Sequence, residues 1–393
     1  MHLSPQRIVS IDILRAIIMV LMIFVNDLWS LTDTPVWLEH TEANDDGMGL
    51  SDIVFPAFLF IVGMSLPFAL QARIKAGDTI LQIIIHIFLR SVALLVMGLF
   101  LINGEYIDEV QTGLSRSVWN LICIISFVCI WNVFPPSWSV MVQRVLQGVG
   151  IVMLGCLYYV YHGVEGAGFE AHWWGILGLI GWSYLCSALW VVLTQRTLWG
   201  AILGCLLFYV VCMMAHTKGF NFGPFRFLLG PLQNGGAPAL TLGGVVISML
   251  YLKLRNREKG WLHLIKIGVV MGVVLIVLGL YTNQFWIISK ILTTPPWVFI
   301  CSGITILLFI IIFYVADVLN KKEIFSPIKP AGTNTLTCYL IPYVVYALMT
   351  ILEISLPSFV LVGMVGLLKS FLFALFVTVL AGLCERWYIR LRL

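Results

Sequence analysis

The chain has 393 residues, 60% of them hydrophobic and 11% charged, with a mean hydropathy of +1.00. No soluble domain hides that much apolar material, so a lipid bilayer is the implied solvent. A net charge of +4 distributed over short loops is no nucleic-acid footprint, and nine cysteines without a C-x-x-C pair give neither a disulfide framework nor a zinc site.

Continuous apolar runs such as Val92–Ile102 and Ile304–Val315 exclude the alternating pattern of a membrane β-barrel. A helical crossing needs about 20 apolar residues. On that measure the hydropathy pattern predicts spans near 8–29, 52–72, 80–102, 117–134, 145–161, 173–193, 198–215, 237–254, 262–281, 297–316, 332–352 and 363–384. The expected fold is an all-α polytopic membrane protein of about 12 transmembrane helices, with 10 as the lower count, forming one domain over 1–393. Asp12 and Arg15 inside the first span, with no small-residue cleavage site after it, argue against a signal peptide following Met1–Arg7. Placing both termini in the cytoplasm puts most Lys and Arg in inner segments, leaving Arg116, Lys218, Arg226 and Lys290 outside, as the positive-inside bias requires. The stretch Gly219–Pro238, with its Asn234-Gly235-Gly236 turn signal, reads as a re-entrant or capping loop.

Polar residues gather in a few places. The first outer segment, Asp27–Asp52, holds Asp27, Asp33, Glu39, Glu42, Asp45, Asp46 and Asp52, one histidine (His40), and no Lys or Arg. Such a segment attracts a cation, an amine included, although depletion of positive charge from outer loops produces the same composition. His40 is a side chain able to exchange a proton near neutrality, and equally an ordinary surface residue. Within spans, Asp12 and Arg15 are three apart and His86 and Arg90 four apart, spacings that suit a structural pair or a docking point for an anion. Asn26, near the outer end of the first span, carries an amide suited either to an oxyanion or to helix packing.

The ordered set Ser10-x-Asp12-x-x-Arg15, Met22-x-x-Val25-Asn26, His40 and Asp52-x-x-Phe55-Pro56-x-Phe58-x-Phe60-x-x-Gly63-x-Ser65 resembles the heparan-α-glucosaminide N-acetyltransferase family. It is similar in particular to bacterial relatives grouped as a domain of unknown function, which share a segment like Trp173–Leu179. The motifs are strongest over 7–70. Ser289-Lys290-x-Leu292-x-Thr294, Asp317-Val318 and Pro330–Leu336 give weaker agreement over 285–340, and an extra helix pair lies at about 173–215.

The resemblance implies a transmembrane acetyltransferase that takes acetyl-CoA from the cytoplasm and acetylates an amino sugar or glycan on the outer face of a bacterial inner membrane. It implies no metal, and it allows a homodimer. His40, Asn26 and Asp52 match its catalytic positions: imidazole as general base or acetyl carrier, amide as oxyanion donor or ring holder, carboxylate as imidazole holder or substrate-cation site. Arg15, Lys290 and Asn334 are the candidate contacts to the donor, whose phosphates call for cations or helix N-termini. The residues by themselves leave open a transporter for a cationic or sugar-like solute, or a non-catalytic partner of another membrane protein.

Overall fold

The computed structural model describes residues 8–220, 222–223 and 229–391, and Arg7, Arg226, Arg392 and part of the Gly219–Pro238 loop lie outside the described residues. Helices form at all twelve predicted spans: α1 Val9–Asp27, α2 Leu50–Lys75, α3 Ile80–Asn103, α4 Arg116–Trp131, α5 Val140–Val160 and α6 Ile176–Leu193. The remainder are α7 Leu198–His216, α8 Gly236–Leu254, α9 Gly260–Thr282, α10 Pro295–Phe313, α11 Thr335–Ile351 and α12 Gly363–Arg386. Among the described residues ten of these are long and apolar enough to cross a membrane. The two that fall outside that set have local causes. The α4 helix is only 16 residues long. α11 has 17 residues and follows the 322–333 segment at a bend of 74°, the two making a broken span or a re-entrant loop.

Local signals explain the helix starts. Ser115, Ser139 and Thr197 each accept a hydrogen bond from a first-turn N–H of α4, α5 and α7, and Pro295 and Pro296 open α10, where a missing N–H costs nothing.

The chain divides into two compact units, one comprising 1–18, 35–91 and 179–329 and the other 19–34, 92–178 and 330–393. In the first unit α2 and α8 approach backbone to backbone. A Cβ on Gly63 would lie 1.7 Å from the Thr241 carbonyl oxygen and one on Gly244 1.9 Å from that of Phe60, so only glycine permits the crossing. Ser248 Oγ donates to the Met64 carbonyl at 2.6 Å across the same seam, the small-residue packing expected where lipid supplies no hydrophobic drive between helices. Leu66, Ile87, Tyr184, Ala188, Leu242 and Val245 continue this core. The start of α1 is held by α10's continuation, a single π-turn at Tyr314–Val318, where the Asp317 carboxylate accepts the Ser10 N–H at 3.2 Å.

In the second unit Trp119 is fully buried, its indole N–H donating to the Phe100 carbonyl at 2.9 Å. The Asp27 carboxylate is buried as well. It accepts hydrogen bonds from Lys369 Nζ at 2.7 Å and Tyr346 Oη at 2.5 Å, joining α1, α11 and α12.

Candidate functional site

The site is built on the loop 35–49, which precedes α2, and on the segment joining α9 to α10, both within the first unit. Pairing of these two segments is specified by polar groups. Asp46 accepts the Ile288 N–H at 2.8 Å and the Asn283 amide at 3.2 Å, Gly47 N–H donates to the Ile288 carbonyl at 3.1 Å, and Ser289 Oγ donates to the Ala43 carbonyl at 2.9 Å. The tie carries Lys290 to the loop that holds His40, 250 residues earlier in the chain. The Ser289–Thr294 turn is closed on itself by Thr294 N–H to the Ser289 carbonyl at 3.1 Å. Thr293 within it has φ 54°, a backbone conformation that costs a β-branched residue about 1–3 kcal/mol and persists only where its surroundings over-determine it.

His40 leaves the short helical turn Val36–Leu38 as a half-exposed side chain, while Asp52, in the first turn of α2, is buried: their side chains are 49% and 1% exposed. His40 Nδ1 lies 2.7 Å from Asp52 Oδ1. The other carboxylate oxygen accepts the N–H groups of Thr41 at 3.1 Å and Gly49 at 3.0 Å, so both oxygens of this buried charge are hydrogen-bonded. Trp297 Nε1 donates to the Asp52 carbonyl at 3.1 Å and ties α2 to α10 behind the site. Gly49 is a packing requirement, since a Cβ there would stand 2.0 Å from the Glu39 carbonyl oxygen and push the His40 loop away.

Lys290 completes the cluster. Its Nζ is 3.1 Å from His40 Nδ1, 3.4 Å from Nε2 and 3.9 Å from Asp52 Oδ1, with the side chain 24% exposed. Burial lowers its pKa from the ordinary 10.5, an effect opposed by the Asp52 carboxylate and the Cys301 thiol.

Arg15, Asn26 and Asn334 make hydrogen bonds or lie in segments of their own. Arg15 donates to Asp12 Oδ1 at 3.0 Å and to Ser65 Oγ. Ser65 is 13 residues beyond Asp52 on α2, about 20 Å along its axis by the helical rise. Asn26, exposed, and Asn334, buried at the break before α11 and donating to the Ala381 carbonyl at 3.2 Å, both belong to the second unit. Arg90 lies over the Tyr184 ring at 4.6 Å, a cation–π contact that the His86/Arg90 spacing did not suggest. The sequence reading assigned Lys290 to the donor and missed its place at His40. It also missed the Asp27–Lys369 pair and the part played by Asp46 and Gly49. Neither short spacing nor periodicity links groups this far apart in the chain.

A polytopic helical membrane protein thus carries a buried carboxylate paired with a half-exposed imidazole. The family described as Domain of unknown function (DUF5009) matches residues 7–223, more than half of the chain, and the chain belongs to that family. Two curated proteins are also similar: Heparan-alpha-glucosaminide N-acetyltransferase of Homo sapiens, 30% identical over 106 residues, and that of Mus musculus, 30% identical over 107. Each match covers 26% of this chain and only 15% of the relative.

Proposed function

We propose that this protein is a membrane acetyltransferase that moves the acetyl group of acetyl-CoA onto an amine of an amino sugar or glycan. His40 is the proton acceptor and Asp52 the group that orients it. The observation that carries this reading is the 2.7 Å pairing of His40 Nδ1 with a buried Asp52 whose other oxygen is held by two backbone N–H groups, in a chain similar to an N-acetyltransferase. The carboxylate accepts a hydrogen bond from Nδ1–H, which leaves the lone pair of the neutral ring on Nε2, the nitrogen not bonded to Asp52.

A neutral amine attacking the thioester carbonyl carbon forms the C–N bond, and its proton passes to Nε2. Collapse of the tetrahedral adduct breaks the C–S bond, and the imidazolium returns the proton to the departing sulfur, leaving an amide and a free thiol. A covalent acetyl group carried on Nε2 uses the same geometry. In this reading the donor arrives from the cytoplasm and the acceptor from the side bearing the 35–49 loop.

The test is acetyl transfer by the purified full chain in nanodiscs, with acetyl-CoA and glucosamine, against His40→Ala. Loss of transfer in a variant that keeps its helical signal and thermal midpoint is expected. Undiminished turnover would overturn the assignment, and solute uptake into proteoliposomes without consumption of donor would replace it with transport.

A further inference from the structure

The ammonium of Lys290 poses a question that the His40–Asp52 pair does not answer. A carboxylate 2.7 Å from Nδ1 fixes the tautomer, but it also favours the imidazolium, and an imidazolium cannot accept a proton. The groups around His40 mostly pull the same way. Asp52 faces it from α2, and Glu39, Glu42, Asp45 and Asp46 share its loop, although Asp46 is engaged by the Ile288 N–H and the Asn283 amide. On α10, Cys301 adds a thiol beside the Asp52–Lys290 pair. Lys290, from the turn before α10, is the cation that pushes back. It sits 3.1 Å from Nδ1 and 3.4 Å from Nε2, distances comparable with that of the carboxylate. In the neutral ring Nδ1 donates to Asp52 and has no lone pair for the lysine, so at that atom the ammonium acts as a charge and not as a hydrogen-bond donor.

We infer that Lys290 is a positioning residue for the proposed transfer: its ammonium, held against the His40 ring, keeps the imidazole neutral and able to take a proton while Asp52 sets its tautomer. The inference rests on the reading of His40 as the base. The turn that presents the lysine is built for fixed placement, through the Ser289 bond to Ala43, the Ile288 bond to Asp46 and the strained Thr293 backbone.

The experiment measures two things on the full chain in nanodiscs across pH 5–9: the rate of acetyl transfer, and the rate at which diethylpyrocarbonate modifies His40, read by mass spectrometry. Diethylpyrocarbonate reacts with neutral imidazole, so it reports the protonation of His40 whether or not the protein transfers acetyl groups. Lys290→Met is expected to move the acid-side midpoint of both curves upward, and Lys290→Arg to restore it. Lys290→Gln serves as a second neutral variant where Lys290→Met fails to fold. An unchanged labelling midpoint in the neutral variant, or no restoration by arginine, overturns the inference. Failure of the parent reading looks different: His40→Ala then retains transfer, while the dependence of His40 labelling on Lys290 is untouched.

Discussion

Replacing Asp52 by asparagine is the sharpest probe of how the site is held. The amide oxygen can still accept the Thr41 and Gly49 N–H groups, so the start of α2 and its loop keep two of the three bonds that the carboxylate makes. The change falls on the third. An NH2 group in place of Oδ1 donates to His40 Nδ1, which drives the ring proton to Nε2 and removes the lone pair from the nitrogen proposed to take the amine proton. The lost charge-assisted bond is worth roughly 1.5–3 kcal/mol, about one to two decades in rate. The wrong tautomer deepens this, and for an Asp–His pair of the same logic the loss reaches about 10⁴. Asp52→Asn should therefore lower the initial rate of acetyl transfer by roughly 10²–10⁴, with the helical circular dichroism signal unchanged. A rate within about threefold of wild type, in protein that binds donor normally, would refute the claim that this carboxylate orients the base.

Gly49→Ala places a Cβ 2.0 Å from the Glu39 carbonyl, so the His40 loop must shift; at least tenfold lower transfer and a cost of about 1–3 kcal/mol in a thermal melt are expected. Lys369→Met strands the buried Asp27 carboxylate with Tyr346 as its remaining side-chain partner, and should cost about 3–5 kcal/mol. Adding Asp27→Asn to Lys369→Met should recover most of that loss, again read as a thermal midpoint. Lys290 gives a pH dependence of stability. Its folded pKa is lowered, so between that value and 10.5 the unfolded chain holds the extra proton and stability rises with pH. Lys290→Met should flatten that rise when thermal midpoints are compared between pH 8 and 10.5, and an unaltered slope would contradict it.

Hydropathy alone placed twelve helices, ten of which among the described residues are long and apolar enough to cross a membrane, because helix formation in lipid is a local property: an apolar run has no alternative to internal hydrogen bonding there. The Asp12–Arg15 pair was legible for the same reason, being one turn apart on α1. His40 and Asp52 could be singled out because they flank one short loop and stand in a recognisable order.

What joins Lys290 to them was not legible. The connection runs through Asp46, Ile288, Asn283 and Ser289, hydrogen bonds between backbone and small polar side chains that leave no periodic trace in either segment. The Asp27–Lys369 pair is hidden in the same way, because each residue is an isolated charge at its own helix until the end of α1 meets α12. The order of residues thus determined which stretches become helices and which residue types can do proton chemistry. Which charges meet was decided by tertiary packing, since the energy of a buried ion depends on the partners within a few ångströms and not on its neighbours along the chain.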